Sequence, residues 1–70
     1  MPTLKELRLQ ARLSPTSLAR LAHIDRTTLL RAESGTPVRD LTAYAIIDAL
    51  SEKLGRKIAL ADVEGLNTLQ

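Results

Sequence analysis

The placement of helix start signals constrains the fold of this 70-residue sequence more than any other feature. The run Thr3-Leu4-Lys5-Glu6 has the form of a capping box, in which a threonine and a glutamate satisfy each other's backbone N–H groups. Ser14-Pro15 places an N-cap residue before a proline at the first helical position, and Asp25 is a third N-cap candidate. The signals lie close together, so the helices between them must be short.

Stop signals and composition complete the prediction of an all-α fold. Gly35 and Gly55 are positioned to end two helices. Leucine and alanine, which favour helices, account for 14 and 9 residues, whereas β-branched and aromatic residues are scarce. We expect a single domain over residues 1–70, built as a compact bundle of four or five helices at Leu4–Arg12, Pro15–Ala22, Arg26–Ser34, 39 or 40 to Gly55, and Leu60–Glu64.

Several function classes find no support in the sequence. There is no cysteine, and the only histidine is His23, so we expect no metal site, cofactor or small-molecule ligand. The serines have no neighbouring base, and the three glycines are isolated, so no nucleophilic catalyst or phosphate loop is formed and we expect no enzyme. The sequence shows neither a signal peptide nor a membrane span, which favours a cytoplasmic location.

The segment from Pro15 to Ser34 has the spacing of a helix-turn-helix, with the turn at His23-Ile24-Asp25. Leu18, Ile24 and Leu29 would fix the angle between its helices. At Leu-Ser-Pro-Thr-Ser-Leu-Ala-Arg-Leu-Ala (13–22), Ile-Asp-Arg-Thr-Thr-Leu (24–29) and Glu-Ser-Gly (33–35), the sequence resembles the Cro and lambda-repressor-like (XRE-type) regulators. This resemblance, over roughly residues 3–54, implies a transcription regulator, in most cases a repressor, that binds double-stranded DNA in a prokaryotic or phage-infected cell.

The sequence departs from the pattern of this family at three positions. His23 stands in the turn where glycine is usual, and Arg12 replaces the glycine that often ends helix 1. Pro15 replaces a glutamine that often contacts the DNA backbone, and it cannot donate a hydrogen bond. The resemblance therefore does not supply that phosphate contact.

The outward face of the third helix is the candidate DNA-reading surface. With Leu29 placed inward, the helical period turns Thr27 and Arg31 outward with Leu30 beside them, and Arg26 lies at the tip. Arginine can bond guanine in bidentate fashion, and threonine and leucine can contact a thymine methyl group. The resemblance implies base contacts at Arg26, Thr27 and Arg31, and we add Leu30 from its outward position.

Phosphate contacts are expected on both sides of this helix. We predict them at the start of the second helix and around the start of the fourth, at Ser14, Thr16, Ser17, Thr36 and Arg39. Six of the seven arginines lie between residues 8 and 39, which makes this half of the chain the basic one. The resemblance also implies a partly buried structural salt bridge between Arg8 and Glu33.

Other interpretations remain open at this point. The same skeleton could serve as a protein-interaction module or as an antitoxin component. Leu41, Tyr44 and Ala45 lie outside the core stripe of the fourth helix, so they could sit under the C-terminal segment or form a small homodimer patch. Residues Thr68 to Gln70 are expected to fray.

Overall fold

The computed structural model describes residues 2–69 and confirms the all-α fold. Four α-helices follow one another along the chain, and one 3₁₀ helix comes after them: α1 Leu4–Gln10, α2 Pro15–Leu21, α3 Arg26–Glu33, α4 Asp40–Leu54 and the 3₁₀ helix Leu60–Asp62. The last of these was expected as an α-helix over Leu60–Glu64, and it is shorter and more tightly wound. Within residues 2–69, the β features are two isolated parallel bridges.

The first two start signals act as the sequence predicts. The Thr3 hydroxyl accepts from the Glu6 N–H at 3.2 Å, and the Thr3 N–H donates to Glu6 Oε1 at 3.2 Å, which closes the capping box of α1. The Ser14 hydroxyl accepts from the backbone N–H of Ser17 at 3.1 Å at the start of α2. Both interactions satisfy helix N–H groups that have no partner inside the helix.

Asp25 stands at the N-cap position of α3, but its side chain does not cap the helix backbone. Its carboxylate instead accepts a hydrogen bond from the hydroxyl of Thr28, one turn along the helix. The sequence signal therefore located the start of α3 correctly, although the Asp25 carboxylate accepts from a side-chain hydroxyl and not from a backbone N–H.

The turns before α2 and α3 are made by two left-handed residues that are not glycine. Arg12 and His23 both have φ of 58°, a conformation that is uncommon for residues with a Cβ atom and that histidine tolerates better than most. The chain reverses at these residues, so α1 ends at Gln10 and α2 at Leu21, each shorter than predicted.

The core lies between α4 and the three shorter helices. Ala43, Ile46 and Leu50 on α4 have no exposed surface, and neither do Leu18 on α2 and Leu29 on α3. Ile24 in the turn is partly buried against this cluster. This packing holds α3 by one face only and leaves the opposite face to solvent.

The prediction that the chain frays from Thr68 is wrong for the described residues. Thr68 forms a parallel bridge with Val38, and the Leu69 N–H donates to the Val38 carbonyl at 2.8 Å. Leu66, just before them, is buried. The apolar anchor and the backbone pairing offset the entropy cost of ordering this segment. Gln70 lies outside the described residues.

Candidate nucleic-acid interface

The two faces of α3 differ sharply in exposure. Leu29 and Ala32 are fully buried, whereas Arg26, Thr27 and Arg31 are exposed. Leu30 is 40% exposed, so the structure places all four predicted base-contacting residues on the accessible side of the helix. Within residues 2–69, no hydrogen bond or ion pair engages the side chain of Arg26 or Arg31.

The structure brings Arg31 together with two of the predicted phosphate contacts. Arg31, Thr36 and Arg39 line one shallow depression of about 330 Å³ beside the C-terminal half of α3. The other residues around it are Thr28, Pro37, Val38, Thr42 and Leu69. Two guanidinium groups and several hydroxyl groups at its rim give this part of the surface the chemistry that phosphate oxygens bind.

The remaining predicted phosphate contacts lie at the start of α2. Ser14, Thr16 and Ser17 are all exposed. The Ser14 hydroxyl is already used, since it accepts from the Ser17 N–H and lies 2.9 Å from the Ser17 hydroxyl. The hydroxyl of Thr16, by contrast, takes no part in the N-cap hydrogen bonds between Ser14 and Ser17.

A buried ion pair fixes α3 against α1. Arg8 Nε donates to Glu33 Oε2 at 2.7 Å, and Arg8 Nη2 donates to Glu33 Oε1 at 3.3 Å. The two side chains are only 8% and 9% exposed, and Arg8 Nη1 also donates to the Leu13 carbonyl at 3.0 Å. One guanidinium therefore ties α3 to α1 and to the α1–α2 turn. The pairing of Arg8 with Glu33 is the one that the family resemblance implied, whereas the bond to Leu13 was not predicted.

An acidic group also stands at the start of α3. The hydrogen bond from the Thr28 hydroxyl lowers the pKa of the exposed Asp25 carboxyl below its ordinary value of 3.8. The positive charge of Arg31 contributes in the same direction. Asp25 is therefore ionised near neutral pH and places a negative charge at the start of α3.

Helices α2 and α3, with the tight turn between them, form a helix-turn-helix braced by α1 and α4. A family model described as a helix-turn-helix domain matches residues 3–63. The chain therefore belongs to this helix-turn-helix family, which is of the XRE/Cro-like, DNA-binding type. No curated protein and no solved structure gives a significant match to the chain.

Residues 2–69 contain no group of three or more acidic or histidine side chains placed to hold a metal ion. No helix among them has the length and apolar character needed to cross a bilayer.

Leu41 and Tyr44 remain 83% and 50% exposed, so the segment after α4 does not cover them.

Two features of this surface escaped the sequence analysis. Thr28 joins Asp25 to the depression next to Arg31, and its position three residues after the N-cap candidate Asp25 is the signal that could have indicated this contact. Asn67 contacts the loop after α3 through its side chain and its backbone. The turn signal Gly65 precedes it, but no pattern in the sequence indicates which part of the chain it would meet.

Proposed function

We propose that the protein regulates transcription by binding specific sequences of duplex DNA, with α3 in the major groove. The observation that carries this proposal is the exposed face of α3, where Arg26, Thr27, Leu30 and Arg31 stand clear of the packed core. The major groove admits an α-helix, and each base pair presents a distinct set of donors and acceptors there. The two arginines fit guanine, and Thr27 and Leu30 fit thymine methyl groups.

Phosphate contacts on either side of α3 would orient the domain on the duplex. In the proposal, Thr36 and Arg39 bind one stretch of backbone beside Arg31, and Ser14, Thr16 and Ser17 bind a second stretch at the start of α2. Such contacts set register and affinity but do not read sequence. Their electrostatic part weakens as salt rises, because bound counterions are released from the DNA.

The regulatory mechanism we propose is occupancy, most simply repression by blocking access to a promoter. A domain with few phosphate contacts binds weakly alone, so two copies on half-sites about 34 Å apart would raise the affinity. The α4 patch formed by Leu41 and Tyr44 is the proposed surface for a homodimer or a protein partner. With duplex DNA as its partner, the protein we propose would act in the cytoplasm of a prokaryotic or phage-infected cell.

Selection of bound fragments from random duplex DNA tests this function directly. We expect enrichment of a short motif containing guanine, and we expect fluorescence anisotropy at two salt concentrations to show tighter binding at the lower one. When Arg31 or Arg39 is substituted, Lys57→Ala is the matched control. It removes an exposed positive charge that lies outside α2, α3 and the loop between α3 and α4. Absence of duplex binding at low salt would contradict the proposal.

A protein-interaction module is the second candidate, and the exposure of Leu41 and Tyr44 favours it. In that case the helix-turn-helix skeleton would present α4 to a protein, as an antitoxin component does, with or without DNA binding. Leu41→Ser/Tyr44→Ser should then abolish association with the partner or second copy while leaving α3 intact. Sedimentation of the free protein with and without these changes separates self-association from a monomer that needs another protein.

A further inference from the structure

Segment 66–69 pairs with the loop that follows α3, although the two are far apart in sequence. Asn67 Nδ2 donates to the Gly35 carbonyl at 2.8 Å, and the Asn67 carbonyl accepts from the Val38 N–H at 3.0 Å. The Leu69 N–H donates to the Val38 carbonyl at 2.8 Å. Leu66 and Val38 are both buried, so apolar contacts anchor the two sides of this pairing.

Two of these hydrogen bonds act on particular peptide groups. The Gly35 carbonyl belongs to the same planar peptide unit as the Thr36 nitrogen, and the Val38 carbonyl belongs to the same unit as the Arg39 nitrogen. Fixing the two carbonyls therefore fixes the backbone from which the Thr36 and Arg39 side chains extend. Thr36 is held further by its own N–H, which donates to the Arg31 carbonyl at 3.0 Å.

The loop needs such support from outside. Gly35 has φ of 92°, where an L side chain is strained, and no side chain caps the start of α4 at Arg39. The loop side chains supply two hydroxyl contacts, since the Ser34 hydroxyl donates to the Arg31 carbonyl at 2.8 Å and lies 3.3 Å from the Thr36 hydroxyl. Segment 66–69 supplies the partners of the Gly35 and Val38 carbonyls, and without them DNA binding would bear a larger entropy cost of ordering the loop.

We infer that Asn67 and the backbone of Leu69 are positioning groups for DNA binding, which hold Thr36 and Arg39 ready to meet phosphates. This inference rests on the proposed function. It assigns a role in affinity to a segment outside the helix-turn-helix and outside residues 3–63, over which the family model matches. Because these groups act on phosphate contacts, they affect binding to all sequences alike and leave base preference unchanged.

A matched pair of variants at one position isolates the backbone hydrogen bond. Leu69→Pro removes the N–H that holds the Val38 carbonyl, whereas Leu69→Ala keeps this N–H. Both variants lose the same side chain from the rim of the depression, so the difference between them isolates the backbone hydrogen bond. Asn67→Ala tests the other contact, and its control is Ser51→Ala, which removes a hydroxyl that accepts from the Ile58 N–H at 3.0 Å elsewhere in the fold. The readout is affinity for a selected duplex and for random duplex across a range of salt concentrations.

We expect Leu69→Pro and Asn67→Ala each to weaken DNA binding about two- to tenfold. For each variant, the loss should be the same on the selected duplex and on random duplex. The salt dependence should flatten by up to about one unit of slope. The loss for Leu69→Pro is measured against Leu69→Ala, and Ser51→Ala should bind as the parent chain does. In the background of Arg39→Ala, Leu69→Pro should have a clearly smaller effect relative to Leu69→Ala, and Asn67→Ala should have a smaller effect in the background of Thr36→Ala, because the contact that each change supports is already lost.

The result separates the two proposals. If the parent chain binds no duplex, the proposed function and this inference both fail. The inference alone fails if the parent chain binds but Leu69→Pro matches Leu69→Ala and Asn67→Ala matches Ser51→Ala. It also fails if the effect of Leu69→Pro adds fully to that of Arg39→Ala, and the effect of Asn67→Ala to that of Thr36→Ala. A change in base preference would also overturn it. Thermal unfolding of each variant shows whether the fold is kept, and the comparison within the Arg39→Ala background holds even where stability falls.

Discussion

Arginine has two different tasks in this molecule, and Arg8 and Arg31 show the contrast. Arg8 is 7% exposed and makes hydrogen bonds to Glu33 and to the Leu13 carbonyl. Arg31 lies on the opposite side of α3 from this pair and is exposed, with no side-chain hydrogen bond to residues 2–69. One guanidinium fixes the position of α3, and the other remains available to a ligand.

The difference shows how a small domain separates stability from recognition. The buried guanidinium has already lost its water, so its hydrogen bonds must be kept if the fold is to persist. The exposed one keeps its water in the free protein, so its removal should leave the fold almost unchanged. Four single substitutions and one double variant test this separation, and the substitution expected to change the molecule most comes first.

Glu33→Ala should have the largest effect, because it leaves the Arg8 charge buried without its partner. We expect the free energy of unfolding to fall by roughly 3–5 kcal/mol, as measured by chemical denaturation. Arg31→Ala is the control on the outer face and should change this free energy by no more than about 0.5 kcal/mol.

A double variant sharpens the first prediction. Arg8→Met/Glu33→Leu replaces both charges with apolar groups of similar size and should recover most of the stability. If Glu33→Ala and Arg31→Ala destabilise equally, the two sides of α3 do not differ in the way we describe.

Arg31→Ala should have the next largest effect, and it should act on DNA binding. We expect a loss of about 1–3 kcal/mol on the selected duplex, together with a relaxed preference at one base position, because a bidentate contact to a base is removed. Binding of duplexes that differ at each position measures this. An equal loss on every sequence would assign Arg31 to the phosphate backbone instead.

Arg39→Ala should weaken binding less and without regard to sequence. We expect a loss of about 1 kcal/mol on all duplexes and a salt slope that is flatter by about one unit, because a single phosphate contact disappears. The measurement is anisotropy across a salt series. An altered base preference would show that Arg39 reads bases.

Thr28→Val should have the smallest effect, on the proton equilibrium of Asp25. The lost hydroxyl donor should let the pKa of Asp25 rise toward 3.8, and an NMR titration of the carboxyl carbon would measure the change. The folded state lowers the pKa of Asp25, so the ionised carboxylate stabilises the fold of the parent chain. This stabilisation is fully present above the unfolded-state pKa, and it is lost as pH falls through the folded-state pKa. The free energy of unfolding of the variant should depend less on pH in this acid range. An unchanged pKa of Asp25 would exclude the Thr28 hydroxyl as the main cause of its lowered value.

Local signals predicted the helices because the responsible contacts are local. The Thr3–Glu6 capping box and the Ser14 cap connect residues three positions apart, so sequence spacing alone identifies them. The predicted helix ends were less accurate, because Arg12 and His23 adopt a left-handed conformation that their residue types do not predict. The pairing of Thr68 with Val38 was missed, since such a contact depends on the packed tertiary structure.

The candidate interface was predictable to a similar extent. Helical periodicity separated the inner face of α3, with Leu29, from the outer face, with Arg26 and Arg31. The sequence did not reveal that Arg31, Thr36 and Arg39 share one depression, because the path of the loop is set by contacts with Asn67. Which phosphates or bases these residues meet remains a prediction.

The parallel bridge between Thr3 and Glu64 closes the chain near its two ends, with the Glu64 N–H donating to the Pro2 carbonyl at 2.8 Å. Such a contact can form only after the intervening helices have collapsed, since bringing distant residues together costs loop-closure entropy. Folding should therefore proceed from the helices outward, with this bridge among the last contacts made and the first opened. In hydrogen exchange, the Glu64 amide should lose its protection well before the amides of Leu29 and Leu50.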